Sequence, residues 1–187
     1  MIFPHMTNLY LASQSPRRGE LLSQIGVQYQ RLSVDVEECQ GCGELPSEYV
    51  QRLAVDKSAA GWRELQRASL PVAPVMGADT IVVLDGKVLD KPRNAAEAVA
   101  MLGRVHKVFT AVALTSNGAQ EVVLCSTEVT FTRISESQAR DYWQTGEPKD
   151  KAGGYGIQGA GAVFVENLAG SYSGVVGLPL FETQQLL

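Results

Sequence analysis

Two adjacent arginines, Arg17 and Arg18, follow Ser13-Gln14-Ser15-Pro16, where a short apolar run gives way to a helix start. Unpaired amides at a helix N-terminus and the positive end of the helix dipole favour an anion there. Cations in that first turn work against the dipole, and a guanidinium fork matched to phosphate oxygens supplies a reason for them. The plain alternative is a solvated charge pair. Farther along, Gly77-Ala78-Asp79-Thr80 reads as the carboxyl end of an apolar strand. An aspartate so placed can hold a divalent cation or take a proton from water, the plain alternative being a turn aspartate. Glu38, at the end of the second expected strand, would complete the carboxylate pair that a magnesium-type ion prefers. Lys57, inside a long expected helix, and Lys91, before Pro92, are each ordinary surface lysines when taken alone. In residues 153–161 (GGYGIQGAG) the glycines let the backbone approach a flat ligand closely, and Gln158 can read a base edge with its amide. The stretch is neither a Walker A loop nor a strand-to-helix GxGxxG, and a plain turn fits its glycine content equally well.

These side chains need elements to position them. Residues 8–13 read as a short strand, after which Ser15 is the expected N-cap, Pro16 the first helical residue and Gly26 the stop, with Leu21, Leu22 and Ile25 as the apolar face. Residues 27–36 read as a strand, and 44–65 as a long helix with Tyr49, Val50, Leu53, Ala54 and Trp62 at helical spacing. A buried strand is expected over 72–78, then a hairpin over 81–89 turning at Asp85-Gly86. Asn94 and Glu97 have capping-box spacing and open a helix through Leu102. Strands over 105–114 and 121–132 join across Asn117-Gly118, and Ser135 with Gln138 starts a helix to about Trp143. A strand over 162–165 and a terminal helix after Pro179 complete the chain. Hairpins mixed with crossover helices predict an α/β fold with a long, partly antiparallel sheet of five to seven strands, as one domain over residues 1–187.

The 187 residues carry 16 Lys+Arg against 20 Asp+Glu, a net charge of −4, with 45% hydrophobic and 19% charged residues. That composition excludes wholesale disorder and argues against a nucleic-acid polymer as partner, since its binders present a basic stripe. A small anionic ligand needs only a few placed cations. No run approaches the roughly 20 apolar residues of a membrane helix, and the N-terminus lacks the basic start and apolar centre of a signal peptide. A cytoplasmic protein with no membrane partner is expected. Met6 suits a second start, which marks residues 1–5 as a leader or remnant. The cysteines are odd in number, Cys39, Cys42 and Cys125, which argues against a disulfide framework. Cys39-Gln40-Gly41-Cys42 is a CxxC, yet only Cys125, His5 and His106 remain as partners for zinc, with no second paired motif. It also sits in a polar, Gly-containing stretch rather than at a strand-to-helix start, so an incidental loop pair is expected.

Seven motifs stand in order: SQSPRR (13–18), DVEE (35–38), GADT (77–80), LDKP (89–92), HKVFTAV (106–112), DKAGGYGIQG (150–159) and VVGLPL (175–180). Each is weak alone, but in register they are specific, and from about Leu9 to Thr183 the chain resembles the Maf family of nucleoside triphosphate pyrophosphatases. The resemblance implies an elongated mixed β-sheet with flanking helices and two lobes around a cleft, related to the inosine triphosphate pyrophosphatases. It implies hydrolysis between the α and β phosphates, giving the monophosphate and pyrophosphate with a divalent cation (Mg, Mn or Co). SPRR, GADT and GIQG are the forms of the branch acting on dTTP and UTP, whereas the 7-methyl-GTP branch typically shows SPWR, GSDQ and SEG.

On this resemblance Arg17, Thr80 and Gln158 occupy specificity positions. Arg18 with Ser13 grips the triphosphate, and Lys57 and Lys91 neutralise charge on the leaving pyrophosphate. Glu38 and Asp79 hold the cation, with Asp79 also the proton acceptor that activates water. Those two roles of Asp79 compete, because a carboxylate bound to metal is a weaker base. A homodimer is a further family expectation. The chain is shorter than usual for the family between Ala100 and His106, which bears on the loop geometry beside His106. The alternative to an enzyme is a nucleotide-binding regulator of cell division and septum formation without turnover. The full polar set favours the enzyme, since a pure binder has no need of a metal–base arrangement.

Overall fold

The computed structural model describes residues 8–187; the second start at Met6 and the candidate ligand His5 lie outside the described residues. The longest apolar and β-branched runs become the middle of one sheet. Its strands are β1 (Leu9–Leu11), β2 (Tyr29–Arg31), β3 (Val75–Leu84), β4 (Lys87–Leu89), β5 (His106–Ser116), β6 (Ala119–Phe131) and β7 (Val165–Ala169). The order is β2-β1-β3-β5-β6-β7, with β4 beside β3. β1 runs parallel to both β2 and β3, and the remaining pairs are antiparallel, so the sheet is mixed as expected. The helices are α1 (Pro16–Gln24), α2 (Pro46–Arg67), α3 (Ala95–Met101), α4 (Glu136–Gln144), α5 (Tyr172–Val176) and α6 (Leu180–Leu186).

Both hairpins turn where expected. Asp85 and Gly86 have φ of 50° and 76°, and Asn117 and Gly118 have 47° and 83°, the paired positive values of a two-residue turn matched to strand twist. Ser135 accepts from the Gln138 N–H at 3.2 Å while the Gln138 side chain accepts from the Ser135 N–H at 2.9 Å, a complete capping box for α4. Asn94 accepts from the Glu97 N–H at 3.0 Å, but the Glu97 carboxylate turns to the Arg93 N–H at 2.8 Å, so only half of the box forms at α3.

Other elements differ from the reading. Ser15 makes no capping bond; its N–H instead donates to Ser13 Oγ at 3.2 Å. The strand expected over 27–36 shrinks to β2, an edge strand that pairs only with the three residues of β1. The segment expected as a strand over 162–165 is mostly a 3-10 turn (Ala160–Phe164), and pairing with β6 begins at Val165. The largest change concerns GADT. It does not end a strand, because β5 pairs with β3 continuously from Val75 to Val83 and carries the ladder straight through Asp79.

On its other side β3 is not continuously paired. β1 meets it only at Val75 and Met76, and β4 only from Val82 to Leu84, so residues 77–81 have no strand partner on that edge. The sheet opens there, between one group of elements around β1, α1 and α2 and another around β4, α3, α4 and the segment 147–164.

Two packings set the height of the walls. On one face Tyr49, Val50, Leu53 and Ala54 of α2 bury against Ile81, Val83, Ala111 and Ala113. Burying each large apolar side chain stabilises by about 1.5–3 kcal/mol. Gly77 makes this seat close, since a Cβ there would collide with the Ala54 carbonyl oxygen and the Ser58 amide nitrogen. On the opposite face Leu21 and Leu22 of α1 pack with Met76, Val112, Val176 and Leu178.

Candidate active site

The opening in the sheet is the floor of a cleft of about 540 Å³. Because residues 77–81 form a free edge, side chains from both faces of β3 reach the same space: Asp79 from the α2 face, Thr80 from the other. Arg17, Arg18, Glu38, Lys57, Asp79, Thr80, Lys91 and Gln158 all line this cleft. Ser13 stands behind it, buried, with its hydroxyl on Arg18.

Arg18 is 9% exposed, and among the described residues its side-chain partners are neutral oxygens rather than carboxylates. Nε donates to the Gly177 carbonyl at 2.9 Å, Nη1 to Ser13 Oγ at 3.1 Å and Nη2 to Thr80 Oγ1 at 3.2 Å. Thr80 in turn lies 3.0 Å from Thr110 Oγ1, which donates to the Gly174 carbonyl at 2.7 Å. Neutral acceptors thus orient the guanidinium while leaving its charge uncancelled. Burial pushes its pKa below the ordinary value; the Asp79 charge opposes that shift and the neighbouring Arg17 adds to it.

On the α2 face, Lys57 Nζ donates to Asp79 Oδ1 at 2.6 Å and pairs with Glu38 Oε1 at 2.5 Å. Gly77 and Asp79 are two residues apart on one strand face, so the side chain missing at Gly77 is what lets α2 bring Lys57 down to Asp79. Lys57 and Asp79 side chains are nearly buried (12% and 11% exposed), whereas Glu38 is 58% exposed. Glu38 does not end a strand: β2 stops at Arg31, and Glu38 lies in the irregular segment before α2. Arg52 ties that segment down. Its Nε and Nη2 meet the two Glu44 oxygens at 2.6 and 2.9 Å, and Nη2 also donates to the Cys39 carbonyl at 2.9 Å. The Arg52 bonds, with the Gly41 N–H, hold the Glu44 carboxyl down to about 2. Cys39 and Cys42 are exposed free thiols in this segment, and Cys125 is a buried one.

A divalent cation fits this donor set. Hard carboxylate oxygens suit magnesium or manganese, and the two carboxylates already converge on a point where a positive charge sits. Among the described residues no three His, Cys, Asp or Glu are grouped for a metal. Two carboxylates suit an ion that completes its shell with water and phosphate oxygens rather than an all-protein cage.

The far wall belongs to the segment 147–159, where Gln158 is exposed at the mouth. Four more residues line the cleft here: Asp150, Lys151 and Tyr155 lie within the DKAGGYGIQG motif, where the sequence assigns them no role, and Glu147 lies outside every motif. Asp150 accepts from Lys151 Nζ at 2.7 Å. Tyr155 turns its hydroxyl away from the cleft to His106 Nε2 at 2.9 Å, and His106 Nδ1 meets the Arg104 carbonyl at 3.0 Å. A carbonyl only accepts, so the proton is on Nδ1, and Nε2 accepts from the phenol. Burial lowers the His106 pKa, the Arg104 contact opposing. The HKVFTAV motif therefore serves this wall through His106. The side that a Cβ would occupy at Gly156 and Gly159 is taken by Glu147, and at Gly161 by Tyr142, while Gly156 and Gly159 also line the cleft.

The Maf-like protein family model matches residues 8–187. The chain is 57% identical over 184 residues to a dTTP/UTP pyrophosphatase of Saccharophagus degradans, spanning 96% of this chain and 87% of that one. It is 54% identical over 186 residues to a dTTP/UTP pyrophosphatase of Pseudoalteromonas atlantica, spanning 96% and 95%. Among solved structures, the Ham1 protein of Staphylococcus aureus is similar over 67% of this chain and 72% of that one, at 13% identity and a TM-score of 0.46. A likeness at that level carries no weight, and the α/β assignment rests on this chain's own mixed sheet. The family match spans every described element from β1 to α6, and with it and these relatives the chain belongs to the Maf family.

Proposed function

We propose that this enzyme hydrolyses dTTP and UTP to the monophosphate and pyrophosphate, with water attacking the α-phosphorus in the cleft at the open edge of β3. One observation carries the reading: a buried arginine held only by neutral acceptors stands beside two carboxylates bridged by a lysine. The relatives named for dTTP and UTP support the choice of nucleotide.

Arg18, aimed by Ser13, Thr80 and Gly177, grips the triphosphate, and Thr80 acts by orienting that fork. Arg17 and Lys91 add charge along the phosphates, so the net −4 of the chain is reversed locally. With Oδ1 held by Lys57, Asp79 offers Oδ2 to the attacking water's proton. Lys57 then faces the negative charge that gathers on the leaving pyrophosphate. Glu38 and Asp79 would hold a divalent cation (Mg, Mn or Co), which when bound withdraws charge from phosphate oxygens; an Asp79 oxygen given to the cation would be the weaker base, so the two roles of Asp79 compete. Gln158 reads the base: its amide donates to a uracil or thymine carbonyl and accepts from the ring N–H. A regulator that binds without turnover has no use for the lysine-bridged carboxylates and is disfavoured. A cytoplasmic location and a homodimer belong to the same proposal, on the family resemblance; among the described residues no helix is long and apolar enough to cross a membrane.

The test is a nucleotide panel with magnesium, manganese and cobalt, scored for pyrophosphate. Release from UTP and dTTP ahead of purine nucleotides is expected. A preference for 7-methyl-GTP, or binding without turnover, would overturn the reading.

A further inference from the structure

We infer that Glu147, with Tyr142, is a positioning residue for base selection: together they clasp the segment that presents Gln158 and so decide which pyrimidine the cleft accepts. Glu147 Oε1 accepts from the Tyr142 hydroxyl at 2.6 Å and from the Gly161 N–H at 3.1 Å, while Oε2 accepts from the Ala160 N–H at 2.9 Å. The Tyr142 oxygen accepts in turn from the Gly156 N–H at 3.0 Å. The segment is thus pinned at residue 156 and again at 160–161, and Ile157-Gln158-Gly159 lie between. The fit is close. A Cβ on Gly156 would come within 2.8 Å of Glu147 Oε1, and one on Gly159 would collide with Oε2. Burial raises the Glu147 carboxyl pKa, but the Tyr142, Ala160 and Gly161 donors outweigh it and hold the group ionised below its ordinary value.

A glutamine amide that can turn over pairs equally with uracil and with cytosine, because the two base edges differ only by exchanging donor and acceptor. Selection of uracil over cytosine therefore requires the amide to be held one way round; a fixed backbone does not itself set the amide, but without one no contact in the cleft can hold it so. Only a carboxylate at 147 accepts all three donors. Glutamine would place an NH2 against a backbone N–H. This inference rests on the reading of Gln158 as the base-contacting residue.

The experiment measures kcat and KM for UTP and CTP in the wild type, Gln158→Ala, Glu147→Gln and Tyr142→Phe, with pyrophosphate as a competitor that lacks a base. The UTP-over-CTP ratio of kcat/KM should fall roughly tenfold in Glu147→Gln and Tyr142→Phe, through KM for UTP, with kcat within about threefold. The pyrophosphate Ki should stay unchanged. If Gln158→Ala keeps the ratio, the base-reading assignment fails and the clasp falls with it. If Gln158→Ala loses the ratio while Glu147→Gln and Tyr142→Phe keep it, the clasp alone is overturned. A fall in kcat with an equal rise in the pyrophosphate Ki would mean a merely structural role and would also overturn it. Should Glu147→Gln fail to fold by circular dichroism, Tyr142→Phe, which keeps the ring packed edge-on against Phe164 at 5.3 Å, decides alone.

Discussion

The two ends of the cleft are built on different principles. At the end proposed to hold the phosphates, Arg18, Lys57 and Asp79 are buried or nearly so, and each is aimed by elements of the sheet and its two packing helices. At the end proposed to hold the base, Gln158 is exposed on a segment without strand or α-helix, held by hydrogen bonds to Glu147 and Tyr142. A preorganised charge array needs rigid backing, because its worth depends on not reorganising during the reaction. Selection between similar bases needs only one fixed polar contact, and a clasped loop supplies that. On this proposal the catalytic end is built from the packed elements of the fold, while the selective end rests on a hydrogen-bonded segment.

Substitutions at the phosphate end should be the more damaging. Asp79→Asn preserves shape but removes the proposed proton acceptor and the nearly buried partner of Lys57, and kcat/KM for UTP is expected to fall on the order of 10³-fold, with a lowered melting temperature. Gly77→Ala, which touches no substrate, should be next: the added Cβ pushes α2 off the sheet, costing about 1–3 kcal/mol and withdrawing Lys57 from Asp79. Wild-type activity in Gly77→Ala, measured beside a urea titration, would break the link between helix seating and chemistry.

The base end carries a pH dependence. Burial depresses the His106 pKa below the unfolded value of about 6.5, so the unfolded chain binds more protons in the interval between them. Its contribution to stability is complete above about pH 6.5 and is lost as pH falls toward the folded-state pKa. The urea midpoint of the wild type should drop more between pH 7.5 and 5.5 than that of His106→Gln, and equal drops would contradict this account. The smallest effect belongs to Ser135→Ala, remote from both ends. Losing the α4 cap should cost about 1 kcal/mol in thermal unfolding and leave both kinetic constants alone.

The same contrast explains what could be read in advance. The phosphate-end residues were legible because their chemistry is carried by residue type and order: SPRR and GADT name an arginine fork and a carboxylate. Their placement was less so. Asp79 sits mid-strand because β5 outlasts both β1 and β4 along β3, and no local pattern reports how far a neighbouring strand extends. The hairpins and the α4 cap were legible because turn and cap chemistry is local. Glu147 was not, since beyond the nearby Tyr142 hydroxyl its partners lie 13 and 14 residues away, in a segment without repeating hydrophobicity. The glycines were the one trace of it. Their missing side chains make room for a carboxylate and a phenol, while Gly156 and Gly159 still present backbone to the cleft.

The most direct test of the central claim is hydrolysis of UTP in ¹⁸O-water, with the products resolved by phosphorus NMR and mass spectrometry. Attack at the α-phosphorus places the label in UMP and none in pyrophosphate, and Asp79→Asn should abolish the labelled product. Label in pyrophosphate, release of orthophosphate, or undiminished label in Asp79→Asn would contradict it.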